Sequence, residues 1–472
     1  MKIIILILII SISNMAKADF FKNISNIIQD NENRLSYGVS VTDFDKDDKF
    51  EFIVAGFGYP NLALKYDNGK LINSISDSLF ADTERRTIGV ASCDIDQDGF
   101  EEIYFLNTDT YSGEKKYSDR LLDHTDVIND FFEIQKNQDS LNLTAGRSVV
   151  CVDRDGSGKY GIYVANYGGP TRFYEINDSE VSDLAPSLML DQITGGRAVI
   201  AGHIVSNNMD IFAANERGPN FLYKNNNGQF TEIAGEKNIQ DTFQNGRGTA
   251  LTDFLYRGNL DIITSNWNGY HRIFVKDNNS FFDSSSLEFR APSLIRTVIS
   301  ADFDNDGYDE IFMNNIGQPN KLFRILGNGE LEEIIIDEAL EADGLGTGAA
   351  VADIDNDGVL ELLISHGESG AQPLSLFKAN ISSERNFIRI KPLNTFGAPA
   401  RGATVTLNTN MRKHAKTIDA GSGYLCQMEP VAHYGIREGE VIENISIKWT
   451  NGMVETYKVE KINQTYVYKQ GI

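Results

Sequence analysis

The chain has 472 residues, 41% hydrophobic and 23% charged, a globular balance that excludes a disordered acidic tail. Its 43 Lys+Arg against 67 Asp+Glu give a net charge of −24, which argues against nucleic acid as a partner, because phosphate binding needs a basic face. Three cysteines cannot build a disulfide framework, and the surplus acid either solvates a surface or binds cations.

Residues 1–18 read as a secretory signal: Lys2 gives the positive start, Ile3 to Ile12 is apolar apart from Ser11, and Ala16-Lys17-Ala18 offers a small-x-small cleavage pattern. The apolar run is shorter than the roughly 20 residues of a membrane span, and no later stretch reaches that length. Export to the extracellular space or periplasm, without a transmembrane segment, is expected.

An internal repeat follows. Asp43, Asp45, Asp47 and Glu51 stand at positions one, three, five and nine of a short acidic loop. The pattern recurs in Asp94, Asp96, Asp98 and Glu102, in Asp302, Asp304, Asp306 and Glu310, and in Asp353, Asp355, Asp357 and Glu361. Eroded copies begin at Asp153, at Gly202 with His203 and Asn207, and at Asp253, so loops start at near-regular intervals along the whole chain. Pro60, Pro170, Pro219 and Pro319 all keep one register relative to the loop starts at Asp43, Asp153, Gly202 and Asp302, and Asn61, Asn220 and Asn320 follow three of them. Each unit reads as a short strand, an acidic loop, a second strand such as Ile103-Tyr104-Phe105-Leu106, a turn, and two more strands. Four short strands repeated seven times predict an all-β fold, a seven-bladed β-propeller over residues 19–383. Asp19 to Ser25 resembles the fourth-strand segments and is expected to close the ring in the last blade, removing sheet edges. Residues 384–472 form a second, small β domain by their alternation in Ile445-Ser446-Ile447-Lys448-Trp449 and the hairpin signal Asn451-Gly452.

Carboxylates at positions one, three, five and nine, with glycine at six, fold around one hard cation, and calcium suits all-oxygen ligands better than zinc or magnesium. About four structural calcium ions are expected. The first loop carries Asp48 in place of the glycine, the loop at Asp153 has Gly161 at position nine, and the loop at Asp253 has Arg257 at position five, whose guanidinium is expected to replace the metal. Cys93 and Cys151 lie beside equivalent loops but one residue out of step, so alternation points them to opposite faces and buried thiols are expected instead of a disulfide.

These loops and the blade grammar resemble FG-GAP/VCBS repeats of integrin-α-type propellers. Asn386-Phe387-Ile388-Arg389-Ile390, Arg401-Gly402-Ala403-Thr404-Val405, Ala420-Gly421-Ser422-Gly423-Tyr424-Leu425 and Trp449-Thr450-Asn451-Gly452 resemble the ASPIC/UnbV domain that follows such repeats in the cartilage acidic protein family. The resemblance implies a secreted, calcium-binding protein of adhesive or matrix character and implies no particular ligand; an extracellular protein or an acidic glycan is the expected partner.

Arg147, Arg247 and Arg296 each stand six residues before a loop start, and Arg197 keeps the same register before its eroded loop. They should ring one mouth of the central channel, as a site for a carboxylated or sulfated glycan; the alternative is that each pairs with a carboxylate or carbonyl of a neighbouring blade. Trp267, Tyr270 and His271 form a second candidate surface, either stacking on a sugar or protecting a blade corner. Metalloprotease, nucleophile-elbow, redox and phosphate-loop motifs are all missing, which favours a binding module over an enzyme. The enzymatic alternative is a calcium-stabilised polysaccharide lyase working at the arginine ring.

Overall fold

The computed structural model describes residues 19–124, 127–381 and 385–471. The expected signal at 1–18 and the expected domain junction at 383/384 lie outside them. Seven four-stranded antiparallel units follow in chain order, the first being Ser36–Thr42, Glu51–Gly56, Leu62–Asp67 and Lys70–Asn73. First and second strands are buried along nearly their whole length, because each blade is covered by a neighbour on both faces. Ring closure is as expected. Phe21–Asn23 pairs antiparallel with Ser375–Ala379, and Phe21 packs 5.2 Å from Phe303 and 6.3 Å from Phe377. The third and fourth units also join each other through Tyr167 and Gly195.

The Pro-Asn register has a structural cause. The Asn61, Asn220 and Asn320 side chains accept from Gly56, Asn215 and Asn315 N–H at 2.8, 3.1 and 2.8 Å. Each also donates to a carbonyl at the far end of the following hairpin, Phe80 O, Ile239 O and Ala339 O, bracing the turn from both sides.

The C-terminal domain holds a sheet of Ala432–Ile436, Asn386–Leu393 and Thr465–Lys469, and a second of Lys413–Thr417, Thr404–Thr409, Ile442–Lys448 and Val454–Tyr457. Ile390, Val405, Leu407, Ile447 and Trp449 fill the space between them. Gly452, at φ 81°, makes the expected hairpin turn.

This domain docks on the acidic-loop face and sends residues 419–429 into the channel. Cys151 N–H donates to Ala420 O at 2.8 Å, Thr249 and Gly423 exchange two bonds at 2.6 and 2.7 Å, and Val90 N–H donates to Leu425 O at 3.2 Å. Gln427 N–H donates to Val39 O at 2.9 Å, and its side chain accepts from Ser92 N–H at 2.8 Å. Arg401, fully buried, holds the segment's root: it pairs with Glu101 at 2.7 Å and donates to the carbonyls of Asp419 and Met428 at 2.8 Å.

One expectation is overturned. Cys93 and Cys151 form a disulfide, with Cα atoms 6.3 Å apart, while Cys426 is free and buried. Alternation does point the two side chains to opposite faces of their own sheets. In a ring, however, each blade meets the next through opposite faces, so residues one step out of register converge. Closing a loop of 58 residues restrains the unfolded chain; Cys93→Ala with Cys151→Ala is expected to cost about 4 kcal/mol in urea unfolding.

Burial pushes His203 down to about 3, helped by the Lys448 charge, and its Nδ1 lies 2.9 Å from Thr404 Oγ1 across the domain interface. The unfolded imidazole, near 6.5, binds the proton more tightly, so stability falls as pH drops from 6.5 towards 3. His203→Gln should therefore recover about 2 kcal/mol of the loss that the wild type shows between pH 7.5 and pH 5, read from urea midpoints at each pH.

Candidate functional site

Two charged regions lie at opposite ends of the channel. At the docked end, the first aspartate of each acidic loop is used by its own backbone. Asp94 accepts Gln97 N–H at 2.7 Å and Gly99 N–H at 3.1 Å, and Asp353 accepts Asp357 N–H and Gly358 N–H at 3.0 Å. The sixth position is left-handed throughout: φ is 93° at Gly99, 82° at Gly307, 85° at Gly358 and 66° at Asp48, so an aspartate takes the conformation that glycine supplies elsewhere. The position-nine glutamate caps the loop start, as when Ile95 N–H donates to Glu102 at 2.7 Å.

The same aspartates receive the C-terminal domain. Gly435 N–H donates to Asp302 at 2.8 Å, Ala415 N–H to Asp253 at 3.0 Å and Thr450 Oγ1 to Asp153 at 2.6 Å, while Arg389 pairs with Asp353.

In three of the four full loops, a basic side chain of the blade's third strand reaches the remaining carboxylates. Lys65 Nζ lies 2.5, 2.7 and 3.1 Å from Asp45, Asp47 and Glu51. Arg324 lies 2.7, 3.1 and 2.9 Å from Asp304, Asp306 and Glu310. Lys378 lies 2.8 Å from both Asp355 and Asp357 and also contacts Glu361. Burial opposes the charge of these three cations, but the surrounding carboxylates outweigh it and raise their pKa values. Among the described residues the loop at 94–102 has no such partner: burial pushes Asp94 up to about 7 and Glu102 well above the usual carboxylate range, Asp96 being the next cause for Glu102. Asp94, Asp96 and Glu102 each offer an oxygen within 4.8 Å of the others, as do Asp43, Asp45, Asp47 and Glu51 in the first loop, Asp302, Asp304 and Asp306 in the third, and Asp353, Asp355 and Asp357 in the fourth.

At the open end, Arg147, Arg197, Arg247 and Arg296 line one cavity of about 470 Å³ with Tyr111, Trp267, Tyr424 and the carboxylates Glu216, Glu368 and Asp109. Arg197 Nε donates to Glu216 at 2.6 Å and Arg247 lies 3.2 Å from the same carboxylate; Arg296 pairs with Glu368. Arg147 donates to Gly146 O at 2.7 Å and to the Tyr111 carbonyl. Trp267 is sandwiched by Arg247 at 5.3 Å and Arg296 at 4.4 Å, and Tyr167 by Arg147 at 5.5 Å and Arg197 at 4.5 Å. Tyr424, at the tip of the channel segment, has its hydroxyl 3.4 Å from Arg197; burial opposes its ionisation, yet the four guanidiniums lower its pKa. Burial, then the Arg197 charge, depresses Arg247 to about 10.

Comparison with known proteins agrees with these features. The ASPIC and UnbV family matches residues 394–472, and the FG-GAP-like repeat matches residues 302–364. Cartilage acidic protein 1 of Xenopus tropicalis is 44% identical across 91% of this chain and 72% of its own length. The Homo sapiens protein of that name is 44% identical, over 91% and 71%. The chain belongs to the cartilage acidic protein family. Among solved structures, BBS1N, crystallised in complex with ARL6DN, is 12% identical with a TM-score of 0.45, over 74% of this chain and 95% of that one. YCF48 bound to D1 peptide is 9% identical with a TM-score of 0.44, over 76% and 95%.

Within this family member the candidates separate. The four arginines line one cavity, and three of them find carboxylates there. Trp267 joins that mouth, Tyr270 stays outside it against Arg272 and Arg290, and His271 is fully buried. His271 is not a stacking surface. It occupies the register at which other blades carry the turn asparagine, and its Nδ1 accepts Asn266 N–H at 3.0 Å as they do. Arg257 fits its expected role only in part: its guanidinium donates to Lys276 O at 3.1 Å, and its charge favours ionisation of Asp261, the ninth residue of its loop, against the opposing effect of burial. Internal cations exist, but in the full loops, and they come from the third strand, which the loop pattern does not include.

Removing one of them has a defined cost. Lys378→Met leaves Asp355, Asp357 and Glu361 without their counter-charge and is expected to lower stability by about 2–3 kcal/mol in chelator, somewhat below a fully buried pair because the site is partly solvated. Urea unfolding in EDTA measures it.

Proposed function

We propose that this protein is an exported, calcium-stabilised recognition module that binds an anionic group of an extracellular glycan or protein at the arginine-lined mouth. The observation that carries the reading is the charge count there: Arg86, Arg147, Arg197, Arg247 and Arg296 line the cavity against three carboxylates, Asp109, Glu216 and Glu368, with Arg147 bonded to carbonyls and the Thr108 hydroxyl. Two positive charges are left over for a ligand, and planar guanidiniums suit a carboxylate or sulfate through paired hydrogen bonds. Tyr111, exposed at the mouth beside Arg147 and Arg197, adds a flat ring against which a sugar can lie.

Export has independent support in the Cys93–Cys151 bridge, since disulfides persist in oxidising compartments. No helix among the described residues is long and apolar enough to cross a membrane. The calcium part rests on the all-oxygen donor sets of the acidic loops, which fit a hard cation; such an ion would supply charge compensation and tie the first strand of a blade to its second.

The test is titration of the protein with a sulfated glycan and with a polyuronate in calcium. Binding should weaken at least tenfold in Arg147→Ala with Arg247→Ala, whereas undiminished binding refutes the mouth. Release of an unsaturated uronate product during the titration would replace the binding reading with the lyase one.

A further inference from the structure

The three occupied loops share one register. Glu51 is paired directly with Lys65, Glu310 with Arg324 and Glu361 with Lys378 across the second and third strands. In the second blade the ladder runs Phe105 to Arg120, Tyr104 to Leu121 and Ile103 to Leu122, and its next step sets Glu102 opposite Asp123. The position that carries a cation in the other three full loops thus carries a fifth carboxylate here.

Asp123 is only 9% exposed, and its Oδ1 has no hydrogen-bond partner. After burial, the Lys46 ammonium and then the Asp98 carboxylate act on it, and its own charge acts on Asp96, so it stands beside the loop and shares Lys46 with Asp96 and Asp98. The cation nearest the loop is Lys46, 3.5 Å from Asp98 at the rim and 3.9 Å over the Phe100 ring. One partly exposed ammonium does not balance Asp94, Asp96, Asp98, Glu102 and Asp123. A buried carboxylate without a partner is unfavourable, and so is a cluster of them; a divalent cation removes both penalties at once. Asp302 Oδ1 is also unpartnered, but Arg324 already engages the other three carboxylates of that loop.

We infer that this chain takes one exogenous divalent cation, in the second blade, with Asp123 as a ligand from outside the loop motif, while Lys65, Arg324 and Lys378 serve as built-in counter-ions that keep the other three loops closed to metal. The inference rests on the calcium reading above and narrows it from about four ions to one. It also makes the third strand, which no loop pattern includes, the determinant of metal occupancy.

Equilibrium dialysis of the exported chain against calcium, at concentrations up to several millimolar to cover the 10⁻⁴–10⁻³ M range of extracellular modules, should give one ion per chain. Any other count overturns the inference. Asp123→Lys, which copies the other blades, should reduce the count to zero, and Asp123→Asn should weaken binding at least tenfold; unchanged binding in either overturns it. Lys378→Met supplies a test in the gaining direction: the count should rise to two, and a count that stays at one refutes the counter-ion role. Melting of each variant in EDTA reports folding separately. Glycan titration of Asp123→Lys distinguishes the two proposals, because the mouth lies at the other end of the channel and should bind as in the wild type.

Discussion

Each of the seven sheets keeps two edges, a short fourth strand at the outer rim and an inner one where the first strand of every blade presents backbone N–H and C=O groups to the channel. Buried groups of this kind must be paired, by water or by protein. Here much of the pairing comes from residues 419–429, which touch the first strands of five blades at Val39, Val90, Cys151, Thr249 and Val351. The C-terminal domain is therefore part of the propeller's core, and its own two-sheet body acts as the anchor that holds the segment in register. Arg401 shows how strongly the two are joined. Its guanidinium ties Glu101 of the second blade and Val41 O of the first to the segment's two ends at Asp419 and Met428.

This arrangement gives the loop aspartates a second task. A hard cation and a docked domain compete for the same oxygens, and the structure divides them by position. Position one turns inward to its own backbone and outward to the C-terminal domain, as Asp302 does with Gly307 and Gly435. Positions three, five and nine are left to a cation, whether a side chain or an ion. A tethered ammonium or guanidinium costs less order to place than a free ion and is not lost on dilution, while a free ion makes stability depend on the surroundings.

Much of this was legible in the sequence. Spacing of the acidic loops set the number of blades, the Pro-Asn register located the turns, and the likeness of Phe21-Lys22-Asn23 to fourth strands located the closure. The arginine register placed the mouth correctly, because residues at one step of a repeat share one height along the channel. What was missed depends on relations between strands and between repeats. Cys93 and Cys151 look mismatched along one strand and meet only because neighbouring blades oppose unlike faces. Lys65 and Arg324 follow the glutamates they face at one spacing, which the Pro-Asn register already contained, but the longer turn before Lys378 breaks it, and only the strand pairing shows that the three are equivalent. His271 carried a misleading chemical identity: its ring does the work of an asparagine amide, which only the Asn266 hydrogen bond reveals.

The two ends of the channel also explain how an acidic chain can present a basic site. At a net charge of −24 the long-range field repels polyanions, and beyond about 8–10 Å at physiological salt that field is screened. Within that distance the mouth dominates, because its guanidiniums sit on low-dielectric walls of Tyr167 and Trp267, where each charge acts more strongly than in water. Tyr424 sets its depth. The ring that ends the channel segment lies beneath the four arginines, so the domain that closes the acidic end also forms the floor of the basic one.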